Sequence, residues 1–454
     1  MTRSIVEQAH DFYDAVPYEV PVPEASLYEL LDTAARLYPD RVALDYFGAT
    51  TTYAQVREQV LRAARVLHEA GVRAGDTVAI ALPNCPQAFV AFYACMRIGA
   101  VAAQHNPLAP AQEIAGQLAR HGGRVAIVWE KCVDAYPLDA LDTVLTVDIS
   151  VAMPASQRFL LKLPVPRARQ MRAQLRGAVP AACVSWDRAT ASARPIDASH
   201  PLPGPHDRAV ILHTSGTNGV PKSAPLTHAN IGVNVNQCMF WVWKLHEGAE
   251  TFFSLLPYFH AFGLTFFLCA AVRKAATQVL LPKFDVQMAL DAHKRRPVSF
   301  FVGVPPMFER ILARAKQTGT DISSIRYSVA GAMPLSTALA ADWEATTGGL
   351  IVEGFPRRRP SSPALPYPTG ADTACSAFPS PPHSCAWSPW RTIRVTSRTA
   401  SPARSSCGVR RSSRATLTLP RRARACLPRK DGSKPGMLAS TTTATSPWPT
   451  VRRN

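Results

Sequence analysis

Apolar positions recur at helical spacing soon after the N-terminus. Leu27, Leu30, Leu31, Ala34 and Leu37 fall on one face, and Ser26 and Glu29 stand at capping-box spacing around its start. A second helix is predicted from about Tyr53, with Val56, Val60, Ala63, Leu67 and Ala70 turned inward and Gly71 suited to its C-terminal cap. Short continuous apolar runs follow. Residues 77–82 read as a buried strand closed by Pro83-Asn84, a helix covers about 87–98 up to Gly99, and 124–129 form another buried strand. Further strands are expected at 209–213, 251–256, 278–281, 299–302, 327–329 and 350–353. Apolar strands alternating with helices predict an α/β fold of parallel sheets covered on both faces.

Two stretches break this rhythm. Arg158–Arg176 carries six basic and no acidic residues. Its first reading is a solvated insertion; its second is a weak contact with a membrane surface. After Phe355 neither helical nor strand periodicity persists. Of the 50 Lys+Arg and 32 Asp+Glu of the 454 residues, 18 and 2 lie beyond Phe355. That leaves 32 and 30 before it, so the formal +18 belongs almost wholly to the last 99 residues. Composition alone makes this segment, 356–454, a basic tail without a packed core, expected to be disordered.

The ten cysteines show no CxxC spacing, so no zinc ribbon or dithiol motif is read, and no metal-ligating set is expected from them. Cys85, Cys95, Cys132, Cys183, Cys238 and Cys269 fall mostly in apolar surroundings, as buried free thiols of a cytoplasmic protein do. The N-terminus has no apolar signal region, and the apolar run 262–272 is too short to span a bilayer.

The sharpest motif is 209–224, AVILHTSGTNGVPKSA. A buried strand runs into Thr214, Ser215, Gly216, Thr217, Asn218 and Gly219, and Lys222 follows Pro221. Glycines let backbone approach an anion, hydroxyls and N–H groups donate to it, and the lysine adds a point charge. The spacing is not that of a Walker A loop. It resembles the Ser/Thr/Gly-rich ATP loop of the adenylate-forming (AMP-dependent synthetase and ligase) family, with Asn218 in place of the usual hydroxyl residue.

The resemblance continues in order along the chain, over about residues 24–355. The stretch 254–263, SLLPYFHAFG, resembles the family's P-x-F-H-x-x-G segment, which would set His260 near the acyl site with Gly263 closely packed. Gly303-Val304-Pro305-Pro306 resembles the turn beside the acyl pocket. Residues 329–336, VAGAMPLS, resemble the strand and turn between acyl group and nucleotide, with Gly331 and Ala332 where backbone meets ligand. Glu353-Gly354-Phe355 matches the opening of the adenine strand, with Phe355 as the stacking aromatic. The resemblance implies two packed parallel-sheet subdomains in 1–355, forming an incomplete AMP-binding domain. It also implies activation of a small carboxylic acid, a fatty acid first, with ATP, Mg²⁺ and coenzyme A. Lys222 and His260 are the implied catalytic residues. The protein is expected to be cytoplasmic, peripheral to membrane if the basic stretch acts, and not to bind nucleic acid. An aryl-CoA ligase and a non-catalytic acyl- or nucleotide-binding remnant are the alternatives.

The family next requires Gly-x-Thr-Glu, whereas this chain has Pro356-Arg357-Arg358-Arg359. Joining the third base of each codon to the first two of the next, with free choice of synonymous codons, restores the pattern. Residues 400–411 become GEPGEIVVRGPQ and 429–453 become EGWFKTGDAGVYDDGYFAVADRKKE, both similar to later motifs of the family and in order. A reading-frame change soon after Phe355 is therefore expected, and the 454-residue product is expected to be inactive. Sequencing the coding DNA across codons 355–375 tests this: a frame move there should open the family pattern, and a DNA with no such alternative frame overturns it.

Overall fold

The computed structural model describes residues 22–214, 222–241 and 245–354. Among the described residues, helix Tyr28–Leu37 is followed by a hairpin of β1 (Val42–Tyr46) and β2 (Ala49–Thr52). Strands β3 (Thr77–Ala81), β4 (Val101–Gln104), β5 (Val125–Trp129), β6 (Thr143–Val147) and β7 (Val184–Ser185) follow. A second hairpin joins β8 (Arg208–Thr214) to β9 (Lys222–Thr227), and β10 (Thr251–Ser254), β11 (Thr277–Leu280), β12 (Phe300–Gly303), β13 (Tyr327–Gly331) and β14 (Leu350–Gly354) complete the described set.

These strands form two seven-stranded sheets, ordered β7-β6-β5-β3-β4-β8-β9 and β14-β13-β12-β10-β11-β1-β2. Each is parallel except for one antiparallel edge strand, β9 against β8 and β2 against β1. The α/β class with two parallel-sheet subdomains is thus the observed one. The chain starts in the second sheet, builds the first, and returns. The strands at 251 and 278 end two and one residues earlier than their apolar runs, because Leu255, Leu256 and Leu281 are buried in the loops that follow.

Local signals explain most helices. Helix Tyr53–Glu69 is closed by a full capping box, in which the Thr52 hydroxyl accepts from Gln55 N–H and the Gln55 amide oxygen from Thr52 N–H. The box expected at Ser26 and Glu29 does not form: helix Tyr28–Leu37 has no side-chain cap, and the buried Ser26 hydroxyl has no partner. Glu29 N–H donates to the Ser26 carbonyl at 3.1 Å rather than to its hydroxyl, and the neighbouring Leu27 N–H donates to His228 Nδ1 at 3.1 Å. Gly99 ends helix Pro86–Ile98 with φ 71°, the left-handed conformation its position called for. The apolar run at 262–272 lies in a buried helical segment that contains a π-helical stretch, Leu264–Ala270. Among the described residues no helix is long and apolar enough to cross a membrane. Cys85, Cys95, Cys132, Cys238 and Cys269 are buried free thiols, and Cys183 is half-buried.

Every residue of helix Pro86–Ile98 is buried, as an all-round apolar helix must be. Its Tyr93 hydroxyl donates to the Leu268 carbonyl at 2.5 Å, tying it to the π-helical stretch. Just before it, Asn84 joins the two sheets directly. Its Nδ2 donates to the carbonyls of Ser254 (3.0 Å) and Leu256 (2.8 Å), and its Oδ1 accepts from Tyr258 N–H (2.9 Å). The side chain is 3% exposed, so these bonds are made out of water. Asn84→Ala should lower stability by about 3 kcal/mol, three lost bonds with buried groups left unpaired. Asn84→Asp should cost at least as much, because its carboxylate would face two carbonyl oxygens. Thermal unfolding checks both, and midpoints equal to wild type for the two variants would refute the role.

Candidate functional site

Strand β10 ends at Ser254, and the chain then turns through Pro257 and Tyr258 to His260. Gln278 of β11 braces that turn, its amide oxygen accepting from Ser254 Oγ (3.0 Å) and Tyr258 Oη (3.3 Å). Gly263 is required by the same turn: a Cβ there would strike the Pro257 carbonyl oxygen. His260 caps the following helical segment through its backbone, while its exposed imidazole lies 4.7 Å from the Phe259 ring. Partial desolvation lowers its pKa, so it stands neutral at pH 7.

Strands β12, β13 and β14 lie in order on one side of β10. Gly303 pairs with Ala330, Ala330 with Glu353, and Gly331 with Gly354. Val304, half-buried, is the N-cap of helix Pro305–Thr318. Ala332 follows Gly331 at φ 67°, a left-handed conformation costly for a residue with a Cβ. Strain of that kind persists where surrounding structure fixes it, and often lies against ligands. The buried Glu353 carboxylate accepts from Leu335 N–H at 3.0 Å and so holds the turn after Ala332 against β14.

Gly303, Val304, Gly331, Ala332, Glu353 and Gly354 therefore gather at the carboxyl ends of the neighbouring strands β12, β13 and β14, and His260 lies further along the turn that leaves the end of the adjacent β10. In open parallel sheets that edge is where ligands bind. Gly303 has a second reason to be glycine: a Cβ would approach Phe301 Cζ to 2.8 Å and Phe308 Cε2 to 3.2 Å. Its small size thus serves the aromatic core that Phe301 and Phe308 form with Trp343.

Thr214 and Lys222 stand in the other sheet, facing each other as the last pair of the β8–β9 ladder. Lys222 is exposed. The hairpin fixes both ends of the phosphate-loop sequence, whose Ser215, Gly216, Thr217, Asn218 and Gly219 lie outside the described residues, as do Phe355 and the tail. No hydrogen bond or ion pair among the described residues joins Lys222 to the group at the other sheet. The basic stretch folds as helices Ala155–Lys162 and Pro166–Leu175. Three of its six cations act internally: Arg169 and Arg172 donate to carbonyls of the connecting turn, and Arg176 pairs with Glu130 (3.2 Å) and Asp148 (2.9 Å). Phe159 and Leu160 are exposed on its surface.

Sequence reasoning missed the bracing residues. Asn84 was visible only as the end of a strand, and Gln278 as the start of one. Histidines 105, 121 and 213 come together from three elements, and no spacing signal announces them.

The fold is α/β, built on two parallel sheets that each carry one antiparallel edge strand. The chain belongs to the AMP-binding enzyme family, whose model matches residues 31–355. It is 28% identical over 354 residues to a long-chain-fatty-acid–CoA ligase of Bacillus subtilis (strain 168), covering 76% of this chain and 62% of that protein. It is 31% identical over 364 residues to 4-coumarate–CoA ligase-like 9 of Oryza sativa subsp. japonica, covering 76% and 59%. The chain thus spans about three-fifths of the length of these relatives. Among solved structures, an anthranilate CoA ligase, AuaEII, in complex with anthranoyl-AMP superposes with a TM-score of 0.61 at 20% identity, over 74% of this chain and 60% of that one. A long-chain-fatty-acid-CoA ligase (FadD1) from Archaeoglobus fulgidus gives 0.61 at 19%, over 75% and 66%. These two likenesses concern the fold.

Proposed function

We propose that the chain is the N-terminal part of an enzyme that activates a carboxylic acid, a fatty acid first, with ATP and coenzyme A. The observation that carries this reading is the convergence of the motif segments at Gly303, Gly331 and Glu353 on the carboxyl ends of neighbouring strands, next to the end of β10 from which the His260 turn departs. The names of relatives support a fatty-acyl substrate and keep an aryl acid as the second reading. In this reading the carboxylate attacks the α-phosphorus of ATP and releases pyrophosphate, and the coenzyme A thiol then takes the acyl group from the acyl-adenylate, releasing AMP. The chain's own part is positioning and charge. Lys222, exposed at the mouth of the hairpin, offers a cation to phosphate oxygens, with Thr214, Ser215, Gly216, Thr217, Asn218 and Gly219 supplying donors. The glycine pair Gly331–Gly354 keeps the edge free of side chains where adenylate would lie, and Phe355 would stack on adenine. His260, neutral at pH 7, faces the acyl end as a polar wall.

The donor set for Mg²⁺ does not fit. Glu353, the carboxylate at this edge, is buried and engaged with Leu335 N–H, and the Thr-Glu pair that the family resemblance requires after Phe355 is absent. We read residues 356–454 as off-frame. The family match that stops at Phe355 and the charge asymmetry support this, and the 454-residue chain is then inactive. Peripheral membrane contact through Phe159, Leu160 and the basic residues around them belongs to the same reading.

Two experiments follow. In a chain with the frame moved after Phe355, Lys222→Ala should slow carboxylate-dependent ATP–pyrophosphate exchange by roughly a hundredfold. Equal exchange at subsaturating ATP would remove Lys222 from the site. Phe159→Ser with Leu160→Ser should reduce co-sedimentation with vesicles containing anionic lipid; sedimentation equal to wild type, or none in either, ends the membrane reading.

A further inference from the structure

Strands β4 and β8 lie side by side in parallel register, Ala102 with Val210, Ala103 with Ile211 and Gln104 with Leu212. One step further along, that register sets His105 opposite His213, at the carboxyl edge of the first sheet. Helix Ala111–His121 brings its last residue to the same place. One nitrogen from each of His105, His121 and His213 lies within 4.8 Å of the other two. The Nε2 atoms of His105 and His121 are 2.9 Å apart. His105 is fully buried, and the buried His213 Nε2 has no hydrogen-bond partner. A buried nitrogen left unpaired between two other imidazoles is costly unless something binds it.

We propose that His105, His121 and His213 hold a divalent transition metal of the zinc class, with a fourth position left to water. A zinc ion bound at its usual length sets tetrahedral ligand nitrogens about 3.3 Å apart, so the three rings need only small adjustments. The far nitrogens of two rings are already oriented: His105 Nδ1 meets the Tyr136 hydroxyl at 3.2 Å and His213 Nδ1 the Ser223 hydroxyl at 3.1 Å. Such bonds orient the rings and accommodate the tautomer that presents Nε2 to an ion. His121 differs, since its Nδ1 accepts from Gly123 N–H at 3.0 Å. To ligate through Nε2 as a neutral ring it must move its proton to Nδ1 and give up that bond. An all-imidazole donor set without a carboxylate selects zinc, copper or nickel over magnesium or calcium. The ion would clamp the ends of β4 and β8 one residue before Thr214, where the phosphate-loop sequence departs. This inference does not rest on the ligase reading.

The test titrates the purified 454-residue chain with zinc against a chromophoric chelator, and with cobalt(II) to read visible d–d bands. Wild type should take up one zinc, show the tetrahedral cobalt spectrum and melt at a higher temperature with zinc. His213→Ala and His121→Gln should each weaken binding by more than about tenfold and lose the spectrum, while His68→Ala, outside the cluster, should not. Circular dichroism establishes that each variant is folded, and His121→Gln serves if His213→Ala is not. No uptake by wild type at micromolar zinc, or uptake unchanged in a folded cluster variant, overturns the proposal.

Discussion

The site depends on how one turn of one sheet is held by the other, and Asn84 supplies that hold. A buried primary amide can satisfy two carbonyls and one N–H at once, which no apolar side chain can do. The three groups it meets, at Ser254, Leu256 and Tyr258, belong to the turn that delivers His260. Because these bonds are made away from water, they define the position of the turn as well as stabilising it. Gln278 adds a second brace from within the same sheet. Gly263 lets the following helical segment close over it.

Around that fixed turn, the strand ends share a common logic. Parallel register brings Gly303, Ala330 and Glu353 into one row and Gly331 beside Gly354. Small residues at the end of a strand leave room above the sheet, and the strained Ala332 turn is held down by the Glu353 carboxylate. The same glycine can answer to two demands. Gly303 is small for the rings beneath it as well as for the edge, so its presence in a motif does not by itself assign a ligand contact. On the other sheet, the β8–β9 ladder fixes the two ends of the phosphate-loop sequence at Thr214 and Lys222.

Much of the fold was legible because buried parallel strands write themselves as continuous apolar runs. The strands beginning at Thr77, Tyr327 and Leu350 and the helices at Tyr53 and Pro86 lie where their patterns put them. Strand ends were less legible, since Leu255 and Leu256 extend an apolar run into a buried loop. The cap at Ser26 was misread because the Glu29 N–H turns to the Ser26 carbonyl rather than to its hydroxyl. The glycine and histidine segments of the site were legible as motifs, but their convergence depends on a strand order that no local signal contains. For the same reason Asn84 and the three clustered histidines gave no warning: each is an ordinary residue until the register of distant strands places it.

In the proposed function, the edge around Gly303 and Gly331 and the turn to His260 belong to a carboxylate-activating enzyme whose remaining parts lie in another reading frame. Thioester formation from fatty acid, ATP and coenzyme A measures this directly, in the 454-residue chain and in a chain with the frame moved between codons 355 and 375. The account predicts negligible product from the first and sustained turnover from the second. Robust turnover by the 454-residue chain, or none by the frame-moved one, would contradict it.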